Sequence, residues 1–173
     1  DSSADIQIIA NDGGDYIGGL VGRLNNQAKI ENSSSKGLIT DNTNDTTYYI
    51  GGLVGWVTGN NSSNTKITKS HSEVNITSTD NASYYVGGLV GGLQDYAVIE
   101  DSYATGDVFV QNLENGACNN YYIGGLVGDA YQKTRISRSY ATGTVQGEER
   151  VAGLVGRLYS NGTPRALIEN SYA

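Results

Sequence analysis

Residues 48–55 read YYIGGLVG, residues 121–128 repeat that phrase letter for letter, and residues 84–91 read YYVGGLVG. The central GLVG begins at Gly19, Gly52, Gly88, Gly125 and Gly153, at steps of 33, 36, 37 and 28 residues. Such a phrase has two physical uses. It can form a turn whose bare amides cradle a phosphate, or it can let backbone pack where a Cβ would not fit. A phosphate loop needs a G-x-G-x-x-G or G-x-x-x-x-G-K-[ST] frame at a strand-to-helix junction. The stretch Gly18–Gly22 (GGLVG) fits neither frame and leads into another strand. Five copies of GLVG in one chain point to architecture.

A second phrase follows each copy. It starts at Ile30 (IENSSSKGLI), Ile67 (ITKSHSEVNI), Ile99 (IEDSYATGDV), Ile136 (ISRSYATGTV) and Ile168 (IENSYA). Ser33, Ser70, Ser102, Ser139 and Ser171 align in it. The next column is Ser34, His71, Tyr103, Tyr140 and Tyr172, and the one after is always small: Ser35, Ser72, Ala104, Ala141 and Ala173. Alternation through SYATGTV has period two, which is a strand. Its Ser, Ala, Gly and Val face a narrow interior, and its Tyr and Thr face solvent. Strands recurring at this period predict an all-β parallel β-helix, or β-solenoid, of about five coils with 28–37 residues each and essentially no helix. The coils run roughly over 16–48, 49–84, 85–121, 122–149 and 150–173, with 1–15 as the end of a preceding coil. Like residues then stack about 4.8 Å apart. Tyr16, Tyr49, Tyr85 and Tyr122 form one ladder, ended by Arg150; Tyr103, Tyr140 and Tyr172 form another.

The GLVG strand is less simple. Arg23, Trp56, Gly92, Asp129 and Arg157 follow it and vary, which marks an outward column. By period two the Leu20 column faces in, and the Val21 and Ile17 columns face out. Yet those outward columns are apolar in every coil, and a strand apolar on both faces is covered on both. Either a bulge at Gly-Gly shifts the parity or this flank packs against something.

Composition agrees with a β protein. The 173 residues include 24 Gly, 13 Tyr and 1 Pro. The net charge of −7 argues against nucleic acid or an anionic membrane, both of which need clustered Lys and Arg. No apolar run is long enough to insert in a membrane as a helix. The chain starts at Asp1 without Met and stops within a phrase at Ala173, as expected of a mature protein or a piece of a longer array. Exposed strand edges at its ends predict capping or stacking, including copies end to end.

The five GLVG tetrapeptides, each followed by I-x-x-S and then Y-A-T-G-x-V in the fullest copies, resemble the GLUG repeats named for Gly-Leu-hydrophobic-Gly. The resemblance covers the chain from about Tyr16 to Ala173. It departs from the pattern at Ser34, His71 and Ala152. GLUG repeats occur in large bacterial surface proteins, adhesin-like ones and the non-catalytic regions of IgA-peptidase-type proteins among them. The resemblance therefore implies an extracellular, cell-surface parent and no enzyme in this segment.

Catalytic alternatives fare poorly on the residues alone. A zinc protease needs H-E-x-x-H, and a Ser-His-Asp triad needs a histidine at its centre. The one histidine, His71, lies in the outward column. Polysaccharide cleavage needs two carboxylates across a groove; Glu31 with Glu169, or Asp101 with Asp107, are the candidates. Ice binding needs exposed Thr ranks, and Lys36 and Glu73 interrupt those of Thr105 and Thr142. Calcium is the one metal the sequence offers ligands for, at NDGGD and DNTND, through Asp12, Asp15, Asp41 and Asp45, although turn-forming Asn, Asp and Gly account for both stretches equally well. No other cofactor is expected. Candidate ligand-binding residues are Tyr103, Tyr140, Tyr172 and Trp56, for a glycan or a host or bacterial surface protein. Gly19, Gly52, Gly88, Gly125 and Gly153 are read as structural, with the Tyr16 ladder.

Overall fold

A computed structural model describes residues 1–11, 13–42, 47–60, 65–79, 83–111 and 121–173. No described residue is helical. The strands assemble into four parallel sheets, each one running the length of the stack. In each coil the chain passes from a Y-I-G strand (Thr47–Gly51, for example) to the strand after GLVG (Val54–Thr58). It continues to a short strand (Lys66–Thr68) and then to the S-Y-A strand (His71–Ser78). Register joins equivalent residues: Tyr16 to Tyr49, Tyr85 to Tyr122, Ile67 to Ile99, and Tyr103 to Tyr140. The strand Ser3–Ala10 pairs along its full length with Ser34–Asp41, as one more rung of the S-Y-A sheet. The fold is the β-solenoid that the repeat predicts.

The interior is divided, and here the structure corrects the period-two reading. One core holds Leu53, Val54, Val57, Leu89, Val90, Leu126 and Val127 together with Ile67, Ile99 and Ile136. A second core holds Ile50, Val86 and Ile123 against Ile39, Val74, Ile76 and Val108. The Val and Ile columns expected outside are therefore buried, for two separate reasons. The Leu and Val of each GLVG enter the same core because the chain bulges between them. Leu53 O accepts from both Leu20 N (2.9 Å) and Val21 N (3.1 Å), and Leu89, Leu126 and Leu154 carbonyls are shared in the same way. Two amides on one carbonyl shift the parity of everything that follows. The Ile17 column is covered by the distal half of the S-Y-A strand, which folds over it.

Glycine makes this doubling possible. A Cβ on Gly88 would lie 2.2 Å from Gly125 O and 3.1 Å from the Cβ of Ala104; one on Gly125 would lie 2.0 Å from Gly153 O and 3.0 Å from the Cβ of Ala141. The Gly-Gly corner thus presses against the small column of the S-Y-A strand and forms a septum between the cores. That contact explains why the column admits only Ser and Ala.

The serine column closes the opposite corner. Each serine follows a residue with positive φ: Asn32, Lys69, Asp101, Arg138 and Asn170, at 48–50°. Such a turn leaves amides and carbonyls without strand partners. Ser70 Oγ donates to Thr68 O (2.8 Å) and accepts from Ser33 N (3.1 Å). Ser102 repeats this with Glu100 O and Ser70 N, and Ser139 with Ser137 O and Ser102 N. A buried hydroxyl that both donates and accepts costs nothing in unmet hydrogen bonds.

Candidate functional site

The aromatic columns were the sequence's main candidates, and both form. On the S-Y-A sheet, His71 stacks on Tyr103 (centroids 4.6 Å), Tyr103 on Tyr140 (4.9 Å) and Tyr140 on Tyr172 (5.2 Å), with planes within 4–6°. His71 also sits 3.6 Å from Glu73. It is a rung of the ladder. Strand spacing dictates this geometry: rings on adjacent parallel strands, in register, have no other way to pack. One consequence bears on ligand binding. The faces of Tyr103 and Tyr140 cover each other, so ring edges and hydroxyls line the outer surface. Only Tyr172, at the outermost rung and 62 % exposed, is covered on one face alone by its own column.

The other column lies between the first two sheets. Tyr16, Tyr49, Tyr85 and Tyr122 stack at 5.6, 4.7 and 5.6 Å, and Arg150 caps Tyr122 at 4.9 Å. The residues after GLVG interleave with them. Trp56 stacks on Tyr16 (5.2 Å), and Arg23 lies 4.4 Å above Trp56. Trp56 is thus placed within this column, apart from Tyr103, Tyr140 and Tyr172. Gly92 leaves room for the Tyr49 ring, which a Cβ would meet at 2.5 Å. Arg157 lies 4.2 Å over Tyr122 and clasps Asp129 through two bonds, Nε to Oδ1 (2.7 Å) and Nη2 to Oδ2 (2.8 Å). The outward column is therefore roofed by tyrosine, and Asp129 is fully buried. Burial pushes its carboxyl above the usual carboxylate range, while Arg157 pulls it back.

Burial, reinforced by the neighbouring Tyr85 and by Asp129, pushes the Tyr49 phenol up to about 12. The Tyr85 and Tyr103 phenols are also raised, chiefly by burial. An unfolded phenol ionises near 10. The native state therefore holds its protons to higher pH than the unfolded chain. This contribution to stability is complete below about pH 10 and is lost as pH rises through the folded value. Alkaline titration followed by phenolate absorbance tests this. A late group should ionise near pH 12, together with loss of β-sheet circular dichroism. A single early transition for all tyrosines would contradict the buried column.

Three of the four carboxylates considered for cleavage, Asp101, Asp107 and Glu169, are tied up in structure. Arg138 holds Asp101 through Nε (2.6 Å) and Nη2 (3.0 Å), which keeps the Asp101 carboxyl below its usual range, and Arg138 also reaches Glu100 (3.1 Å). Glu169 accepts from Arg135 Nε (2.8 Å), and Asp107 accepts from Thr144 N (2.7 Å). Of the calcium candidates, Asp12 and Asp45 lie outside the described residues. Asp41 is buried, within 3.4 Å of the hydroxyls of Thr47 and Ser78. Among the described residues no three His, Cys, Asp or Glu side chains converge as a metal would require.

Comparison with known proteins agrees with the repeat. The GLUG motif matches residues 13–40, 82–108 and 119–146. The chain winds GLUG repeats into a β-solenoid. It is 44 % identical over 95 residues to an immunoglobulin A1 protease of Streptococcus pneumoniae, covering 53 % of this chain and 5 % of that protein. An immunoglobulin A1 protease of Streptococcus sanguinis is 41 % identical over 94 residues, with the same two shares. The GLUG chain thus corresponds to about one-twentieth of the length of these relatives. No solved structure matches it.

Proposed function

We propose that this GLUG solenoid is a non-catalytic, extracellular stalk module of a bacterial surface protein. One observation carries the reading: the aromatic columns spend their ring faces on each other. A sugar-binding aromatic offers a face, whereas a ladder offers edges. The columns act as struts that resist sliding of one rung over the next. The likeness to a small part of the streptococcal immunoglobulin A1 proteases fits a segment that spaces or presents other domains. Binding a glycan or a surface protein through Tyr103, Tyr140 and Tyr172 is the competing reading. Tyr140→Ala separates them. As a strut, Tyr140 should cost about 1–3 kcal/mol in denaturant melts when truncated, from two lost stacking contacts and lost buried area. Retention on glycan or host-protein arrays should not change. Loss of saturable binding at unchanged stability would reject the stalk.

A second reading rests on a separate observation. The outermost rung leaves Leu158 and Leu167 46 % and 47 % exposed, whereas Leu93 and Val98 in the same columns are buried. That surface fits one more GLUG coil, from the rest of a longer chain or from a second copy stacked end to end. Sedimentation of the isolated chain across a concentration series tests the second source. Reversible association that Leu158→Glu abolishes would support it, and a monomer at all concentrations would exclude it.

A further inference from the structure

The ring column of the S-Y-A sheet does not run the whole stack. Register places Ser34 beside His71 and Ser3 beside Ser34, in the column that holds Tyr103, Tyr140 and Tyr172 further along. The rings therefore stop at His71, with two ringless rungs before it, a gap of about 10 Å at the strand spacing. Tyr103 covers one face of the imidazole, parallel within 6° at 4.6 Å. The other face looks into a recess of about 210 Å³ lined by Ser3 and Ser34. Elsewhere the column presents ring edges; here it presents a ring face with room for another ring on it.

A second observation is independent of the rings. Two residues on from each column member runs a flanking outward column: Asp5, Lys36, Glu73, Thr105 and Thr142, all exposed. Beside Tyr103 and Tyr140 the flank is threonine. It is charged only at the rungs of Ser3, Ser34 and His71, and all three charged residues line the recess. These charges are not spent on one another. Among the described residues neither Asp5 nor Lys36 makes a salt bridge, and Glu73 makes one, with His71 Nε2 at 3.6 Å. Where the column loses its rings, the flank gains donors and acceptors.

The two columns together select a ligand. The open imidazole face takes a flat ring or the C–H face of a saturated one. Asp5 and Glu73 only accept, Lys36 only donates, and the serine hydroxyls do both. An anion would meet two carboxylates, and a cation would meet Lys36. A tyrosine from a partner would fit the rung, but a phenol in this column needs no charge beside it, as Thr105 and Thr142 show. A neutral ring carrying several hydroxyls uses the whole set.

We propose that this recess binds a neutral pyranose, stacked by one C–H face on His71 in the place a column ring would take. Its hydroxyls donate to Asp5 and Glu73 and accept from Lys36 and Ser34. The site lies beyond the ring edges of Tyr103 and Tyr140 and is compatible with a stalk, which it would tether to a glycan.

The test is NMR titration of the full chain with the methyl pyranosides of glucose, galactose and mannose, alongside N-acetyltyrosinamide and N-acetylargininamide. His71 is the one histidine, so its ring protons report on this recess alone. At least one pyranoside should give saturable shifts at His71, Ser34 and Lys36, with its own C–H protons moved upfield by the imidazole. The two amino-acid amides should shift these signals less at equal concentration. His71→Ala should weaken the pyranoside about two- to tenfold, the worth of one stacked face. Ser34→Tyr fills the rung. It should abolish binding and raise the melting temperature, because it extends the ladder by one ring. The proposal is overturned if no pyranoside saturates, if either amide matches the best pyranoside, or if Ser34→Tyr binds it as the parent does.

Discussion

Gly88→Val is expected to destabilise the chain by about 3 kcal/mol or more, at the upper end of what overpacking costs. The cause is specific. The new Cβ would meet the Gly125 carbonyl at 2.2 Å, and that carbonyl belongs to the backbone of the next rung. A side chain could swing away; a strand cannot. Solenoid stability is a sum of rung and nearest-neighbour terms, so a wedge between central rungs weakens both halves. The prediction carries its own controls. Gly88→Ala should remain unstable when combined with Ala104→Gly, because the carbonyl contact is tighter than the 3.1 Å contact to Ala104. Gly14→Ala, whose Cβ would find its nearest neighbour at 4.0 Å, should stay within about 0.5 kcal/mol of the parent. Denaturant melts of the four proteins measure all of this. Full rescue by Ala104→Gly would mean that the septum is a side-chain contact only.

Arg157→Ala should cost about 3 kcal/mol near pH 7, because it strands a fully buried carboxylate. The pH dependence identifies the mechanism. Asp129 already has a folded pKa above its unfolded value of about 3.9, through burial. Between those two values the native state binds more protons than the unfolded one, so stability falls as pH rises through the folded value. Removing Arg157 removes the interaction that pulls this pKa down. The penalty should therefore be large at neutral pH and shrink as the pH falls, as Asp129 takes up a proton without unfolding. Asp129→Asn added to Arg157→Ala should recover part of the loss and flatten the pH profile. A penalty independent of pH would mean that Arg157 acts mainly through its stacking on Tyr122.

The repeat made the solenoid legible because register in a parallel stack is residue on residue. Once Tyr49, Tyr85 and Tyr122 align in sequence, they must stack in space, and Arg150 must cap them. The small column at Ser35, Ser72, Ala104, Ala141 and Ala173 also announced a tight contact. Its partner stayed hidden, because the second glycine of each pair recurs plainly but has no side chain whose direction a period could place. The bulge was hidden for a related reason. Period two gives the direction of a side chain only while each residue advances the ladder by one, and the shared leucine carbonyl breaks that count. The outer cover of I-G-G-L-V was present in the sequence as the Ile39, Ile76 and Val108 column, but strand order around a coil cannot be read from one strand. The Arg157–Asp129 clasp arises between columns, where a column-by-column reading does not look.

The central claim is that the Gly-Gly septum divides the solenoid into two cores. Nuclear Overhauser contacts among methyl groups test it directly. The divided interior predicts contacts from the Ala104 methyl to Gly88 Hα and from the Ala141 methyl to Gly125 Hα, and none between the methyls of Val108 and Ile99. Strong Val108–Ile99 contacts with the alanine–glycine contacts missing would show a single undivided core and contradict the account.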